Sequence, residues 1–543
     1  MVAIPGPSPD RDRLRPPALV GEVLAPALAA GPDREAVVTR AGRWTYRGLD
    51  TLAAAAAGAL AELGVRAGDR VAAALPNEID VVVAFHGAMR LGAIWVGVNR
   101  ALAPPEKSYI LSDSGSSLLL CDAATAEQLN PMVAGLPDLR RTVVISPGEA
   151  TGDWPAALSA HQGAAGSPGS DGGRAHDPDA PAALAYTSGT TGHPKGAVHS
   201  QRGLLLPGAV LTATRGYGPE LRKGDCLPLT ILNLLVLSTL LVAQAGGCTV
   251  VMDRIDAGGV AEWIERERVT TWNGPPALLY SLVHDDSIRP EALASLEDVW
   301  VGGADCPEHL RAAFAEKFGV RVNGTYGLTE APTVVTIDRL VPATAPDPHR
   351  PGASGIPLPH LDVRIEGEDG SALPAGETGE ICLAPATSGP WAGAYRPPAG
   401  YWQRPDASAE LLRGGVVHTG DVGYVDADGY LAVRDRRNQT ILRGGANVYP
   451  AEVERVLSAL PGVAACAVFG IPDERLGQRV VAAVEPVPGA ALAAEELGAA
   501  CAAELARYKV PERFAFVERF GRNSMGKIDR RRLGALFAAE PLP

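Results

Sequence analysis

The strongest constraint on this chain is a change of periodicity that repeats between residues 45 and 125. "YRGLDTLAAAAAGALAELG" (46–64) is an alanine-rich helical pattern that stops at a glycine. "DRVAAAL" (69–75) reads as a short buried strand, and "VVVAFHGAMRLGA" (81–93) as the next helix. Strands and helices that take turns predict parallel strands joined by crossover helices. A second series of the same kind runs from Ala182 to about residue 340, and residues 352–433 change to short strands and turns. After Arg437 the pattern starts again, with a helix in "AEVERVLSAL", strands in "VAACAVFG" and "RVVAAVEPV", and a helix in "AAEELGAACAAEL". The 543 residues exceed what one hydrophobic core organises. The expected fold is α/β: a large N-terminal domain of parallel βαβ sheets plus a β-rich lobe (1–437), and a small α+β C-terminal domain (438–543). Residues 146–181, rich in Gly, Pro, Ser and Asp, read as an exposed connection.

Composition narrows the function. A formal charge of -13 argues against a nucleic-acid coat, which needs clustered Lys and Arg. The seven cysteines are scattered, with no CxxC pair and no histidine clustered beside them, a poor zinc signature and a poor disulfide framework. The apolar run Ile231–Ala243 is too short and too often broken by polar residues to span a bilayer. The first residues carry no apolar core of a secretory signal, so the expected address is the cytoplasm.

A flexible polar loop follows an apolar strand at "AYTSGTTGHPKGAVHS" (185–200). Gly189, Gly192 and Gly196 let backbone N–H groups approach an anion, Thr187, Ser188, Thr190 and Thr191 add hydroxyls, and Lys195 adds a cation. The loop lacks the GK[ST] ending of a Walker A sequence, and a proline precedes its lysine. On its own such a loop is more often an ordinary turn than a phosphate site.

"YTSGTTGHPKG" resembles the signature of the adenylate-forming superfamily, which includes acyl-CoA and aryl-CoA ligases, peptide-synthetase adenylation domains and beetle luciferases. Matching strings follow in that family's order: "VGGADCP", "NGTYGLTEAP", "GETGEICL", "HTGDVGYVDADGY", "DRRNQTILRGGANVYPAEVE" and "RNSMGKIDR". The resemblance implies a ligase that uses ATP, Mg2+ and CoA. A carboxylate attacks the α-phosphate of ATP, pyrophosphate leaves, and a thiol then displaces AMP from the acyl-adenylate. It implies that the loop 187–192 with Lys195 holds the leaving pyrophosphate, and that Tyr326 packs on adenine beside Gly303, Ala304 and Gly327. Thr329 faces the phosphates and Glu330 the Mg2+. Asp421 takes the ribose hydroxyls with Arg436 next to it, and Lys527 bridges the carboxylate and α-phosphate. It further implies an acyl pocket at Thr230, Ile231, Asn233, Leu234, Gly302, Gly303 and Gly327, a thiol tunnel at Gly444, Gly445, Ala446 and Asn447, and a mobile C-terminal domain hinged near Asn438.

The chain departs from the family pattern at several points. Asn438 stands where Asp or Lys is usual, Gln201 where a histidine often follows the loop, and "LPLTILNLLVLST" (227–239) brings no His and no aromatic. The segment 387–402 is longer than the usual turn, and Gly521 replaces a common proline. One reading is a pocket reshaped for a bulky apolar acid, fatty or natural-product in type, with Leu232 and Leu235 among its lining. Another is a ligase that mainly thioesterifies an acyl-adenylate supplied by a partner enzyme. An adenylating enzyme that loads a carrier protein is the nearest rival, and a luciferase-like oxygenase shares every motif. A non-enzymatic nucleotide sensor would be expected to lack Lys527 or Glu330. The partners expected are a small carboxylic acid or its acyl-adenylate, ATP and CoA, with no nucleic acid and no membrane span.

Overall fold

The computed structural model describes residues 19–102, 104–146, 153–161, 177–187, 194–302, 306–331, 334–338, 350–436, 441–443, 446–448, 450–473, 477–505, 507–522 and 528–537. Among them lie four sheets. The first has six strands in the order Arg141–Val144, Leu118–Cys121, Arg70–Ala74, Ile94–Gly97, Pro181–Thr187, Lys195–Ser200, parallel except for the last pair. The second has nine strands, and its parallel centre runs from Glu35–Val38 through Cys248–Val251, Arg222–Asp225, Thr271–Gly274 and Asp298–Gly302 to Val322–Tyr326. The third, antiparallel throughout, joins Leu361–Glu366, Gly379–Pro385, Val417–Val425 and Leu431–Arg436. The fourth gathers Ile441–Arg443, Ala446–Val448, Val463–Asp473, Gly477–Pro486 and Arg513–Phe516. The α/β architecture with a β-rich lobe and a further C-terminal sheet agrees with the sequence reading.

Local chemistry sets the helices. Tyr46–Glu62 starts where the Thr45 hydroxyl accepts the Gly48 N–H at 3.1 Å. Its alanines let the helix Ile79–Arg90 come close, since a Cβ on Gly87 would stand 2.6 Å from the Ala56 Cβ. Gln201–Arg215 is capped by Ser200 at one end and stopped by Gly216, left-handed at φ 69°, at the other.

Part of the stretch expected to be an exposed connection is packed structure. Asp153–His161 forms a helix against Tyr46–Glu62, and Trp154 is fully buried, with its Nε1 donating to Asp80 at 3.2 Å. Burying one such ring is worth about 3 kcal/mol or more, enough to hold a short helix that its glycine-rich flanks would not predict. No helix among the described residues is long and apolar enough to cross a membrane.

Candidate active site

Thr187 and Lys195 stand opposite each other where the last two strands of the first sheet end, and residues 188–193 connect them. Both ends are tied down. The Tyr109 hydroxyl donates to the Pro194 carbonyl at 3.1 Å, and the Tyr186 hydroxyl donates to Asp113 at 2.8 Å. Asp113 also pairs with Arg404. Burial, with Asp113 alongside, pushes the Tyr186 phenol upward, so it stays a donor.

Residues 399–402 run along the free edge of Lys195–Ser200. Val198 donates to the Gly400 carbonyl at 2.9 Å, Ala399 to Val198 at 3.1 Å and Trp402 to Gly196 at 2.8 Å. This edge delivers Tyr401. Its ring lies 5.3 Å from the Lys195 Nζ, and its hydroxyl donates to the Glu330 Oε1 at 2.8 Å. Gly400 is required here: its φ is 106°, and a Cβ would stand 2.5 Å from the Ser408 hydroxyl, which accepts the Tyr401 N–H at 2.8 Å.

From the same strand, His199 supports the neighbouring turn from below. It is fully buried, hydrogen-bonds the backbone of Thr329, and leaves Nε2 without a partner among the described residues. Burial drives its pKa down to about 4, so the ring is neutral. Lys195, Tyr401, His199, Thr329 and Glu330 therefore form one connected corner. Tyr401 and His199 were not singled out from sequence. Their signal was positional: one ends the lengthened segment 387–402, the other follows the loop by a strand's length.

A second corner joins the second sheet to the β-rich lobe. The Tyr326 hydroxyl donates to the Asp421 Oδ2 at 2.7 Å, across 95 residues of chain. Tyr326 ends the strand Val322–Tyr326, and buried Asp338 fixes that strand by accepting the Gly324 N–H and the Arg311 guanidinium, each at 2.6 Å. Asp421 follows Gly420, left-handed at φ 69°, and its N–H donates to the Thr419 hydroxyl at 3.0 Å. Arg436 stands opposite Asp421 in register. Gly302 closes on Thr325, whose Oγ1 would lie 2.4 Å from an added Cβ. Gly327 is exposed directly after Tyr326.

The apolar segment 227–240 passes between the two parallel sheets. Asn77 pins it by donating to the Leu227 carbonyl and accepting the Leu229 N–H, each at 2.9 Å. The Thr230 carbonyl lies so near Gly97 that a Cβ there would be 1.7 Å away. Leu232, Leu234, Leu235 and Val236 are buried in the core of the first sheet, whereas Ile231, Asn233 and Leu237 keep some surface. A single π-helical turn, Val236–Leu240, lets Ser238 donate to the Leu234 carbonyl at 2.8 Å. Leu237, like Tyr326, Trp391 and Tyr401, is partly buried against the core cluster that includes Leu206, Leu241 and Trp300. Gln201 has a structural task, accepting the Val20 N–H at 3.0 Å with its side chain buried.

Ser188, Gly189, Thr190, Thr191, Gly192, Gly303, Ala304, Asn438, Gly444, Gly445 and Lys527 lie outside the described residues, and Arg436, Ala446 and Asn447 are described in backbone only.

Residues 24–389 match the AMP-binding enzyme family and residues 452–527 match the AMP-binding enzyme C-terminal domain. Feruloyl-CoA synthase of an Amycolatopsis species is 36% identical over 90% of this chain and 94% of its own. The fatty acid–[acyl-carrier-protein] ligase ScoC of Streptomyces coeruleorubidus is 34% identical over 97% of this chain and 98% of its own. The crystal structure of the anthranilate CoA ligase AuaEII with anthranoyl-AMP superposes with a TM-score of 0.85 at 26% identity, covering 96% of this chain and 97% of that one. The chain belongs to the AMP-binding enzyme family, in its acyl-CoA ligase branch. It is an ATP-dependent ligase that works through an acyl-adenylate, with ATP, Mg2+ and CoA as reactants and cofactor. The chemistry of the donor suits Mg2+: a carboxylate oxygen is a hard ligand, and Glu330 has one oxygen accepting from Tyr401 and a second that could meet an ion.

Proposed function

We propose that this enzyme activates a hydrophobic carboxylic acid and transfers it to CoA, with the two corners described above holding opposite ends of ATP. The carrying observation for the acid is the segment Leu227–Leu241, which contains no ionisable side chain. An anionic or zwitterionic second group on the substrate would find no counter-charge there. The related enzymes named above act, by their names, on feruloyl, fatty acyl and anthranoyl groups, all of which offer apolar surface.

On this reading Tyr326 supports adenine, Asp421 accepts the ribose hydroxyls, and Arg436 stands beside it. Lys195 and the loop Thr187–Gly192 neutralise the pyrophosphate as it leaves, and Thr329 orients the phosphates. Mg2+ on Glu330 would supply further charge neutralisation at the phosphates. Tyr401 keeps Glu330 aimed, and neutral His199 props the turn that carries it without adding a competing charge. Lys527 bridges the acid and the α-phosphate. Rotation near Asn438 then replaces it with Gly444–Asn447 for the thiol step. The acid lies against Gly302, Gly303 and Gly327, with Thr230, Ile231, Asn233 and Leu237 beside it.

The test is a panel of acids run in two assays, ATP–pyrophosphate exchange and CoA-dependent AMP release. Fatty or aryl acids should support both, and dicarboxylates or amino acids neither. Exchange without CoA-dependent release would shift the acceptor to a carrier protein. Turnover from synthetic acyl-adenylate alone would shift the role to thioesterification.

A further inference from the structure

The β-rich lobe holds a cluster that the nucleotide chemistry does not use. Although no histidine neighbours a cysteine in the sequence, antiparallel pairing sets Cys382 directly opposite His418. Glu366 pairs with Glu380, two residues along the same strand from Cys382, so all four side chains share one face of the sheet. The donor atoms of Glu366, Cys382 and His418 lie within 4.8 Å of one another. The Cys382 Sγ is 3.4 Å from the His418 Nδ1, and the Glu380 Oε2 is 3.2 Å from that same nitrogen. A tetrahedral ion with ordinary metal–sulfur, metal–nitrogen and metal–oxygen bonds would separate these pairs by roughly 3.6 and 3.3 Å.

The other ring nitrogen gives an independent pointer. The His418 Nε2 lies 3.1 Å from the Arg413 carbonyl, the position of an N–H donor to a backbone oxygen. A backbone carbonyl on the distal nitrogen is the usual support for a metal-bound imidazole. The groups facing Nδ1 are the Cys382 thiol, the Glu380 carboxylate and the Arg413 guanidinium at 3.1 Å. Arg413 is 60% exposed and can swing into water.

We propose that Glu366, Cys382 and His418, with Glu380 as the fourth donor, form a site for a thiophilic divalent cation of zinc-like chemistry. Binding exchanges the thiol proton for the ion, the proton passes to solvent, and Arg413 is displaced. This site differs in kind from the proposed Mg2+ position at Glu330, where oxygen donors meet a hard ion.

Cobalt(II) titrated into the full-length enzyme in excess Mg2+ tests it, because only a thiolate-bound cobalt gives a near-ultraviolet charge-transfer band. The expected result is one ion per chain with that band, reversed by zinc. Cys382→Ser should abolish the band, Glu366→Gln, which keeps the thiol, should weaken binding by about tenfold or more, and Arg413→Ala should tighten it. Absence of the band in the native enzyme would overturn the proposal. So would a band of unchanged strength in Cys382→Ser. If Cys382→Ser fails to fold, Glu366→Gln decides, and unchanged affinity there would equally overturn it.

Discussion

The phosphate corner and the apolar segment 227–240 lie close together yet are built by opposite rules. In the corner nearly every polar group has a named partner: Tyr109 with Pro194, Tyr186 with Asp113, Tyr401 with Glu330, His199 with Thr329. Position is set by directional bonds, so small changes are costly. In the apolar segment the positions come from packing, and the hydroxyls of Thr230 and Thr239 are buried with no partner among the described residues. A packed surface tolerates exchange of volume better than a bonded one tolerates loss of a partner. On the proposed reading, chemistry common to every acid is housed in the first region, and discrimination between acids in the second.

The comparison breaks most easily at the chemistry. Lys527→Ala should lower the adenylation rate by about ten- to a hundred-fold or more, while thioester formation from synthetic acyl-adenylate stays near the native rate. Equal losses in the two half-reactions would remove Lys527 from the first step. Glu330→Gln should cost a similar or larger factor, on the order of a hundredfold in kcat, partly restored by raised Mg2+. Tyr401→Phe keeps the ring over Lys195 and deletes only the hydroxyl to Glu330. A loss of about tenfold, carried by the Mg2+ dependence and not by the KM for the acid, is expected.

Substitutions in the apolar segment should behave differently. Leu237→Ala is expected to change the ratio of kcat/KM between long and short acids by about tenfold while pyrophosphate exchange with the preferred acid stays within a few-fold. If the acid preference does not move, Leu237 is a packing residue only.

The smallest effect is on stability and comes from His199. Its folded pKa of about 4 lies below the ordinary 6.5, so the unfolded chain binds the proton first as pH falls. The stabilisation is complete above 6.5 and is lost as pH falls from there towards 4. Buried His86 and His360, both driven to about 3, act in the same direction. Thermal unfolding followed against pH should show stability falling below about pH 6.5, and His199→Asn should reduce the slope.

The parallel sheets were legible because periodicity and buried strands are local properties. The helix Asp153–His161 was not, because what holds it is Trp154 reaching Asp80, a contact invisible in a glycine-rich stretch. The same reason hid the cluster at Cys382: strand register, not sequence spacing, brings His418 to it. Within the candidate site, Tyr401 was concealed by the lengthened segment that delivers it, and the glycine-rich stretch 188–193 lies outside the described residues. Leu234 and Leu235 read as pocket lining, but in the fold they are buried in the core of the first sheet, whereas Leu237 is only partly buried and packs against a different core cluster.

Tyr401 has a further consequence on the proposed reading. One ring faces the cation that meets the leaving group, and its hydroxyl grips the carboxylate that meets the metal. Metal and nucleotide are then thermodynamically linked through a single side chain. Whichever arrives first alters the affinity for the second, and reciprocity makes the two factors equal. A double-mutant cycle between Lys195 and Glu330 should be non-additive in the native enzyme and closer to additive once Tyr401 is Phe.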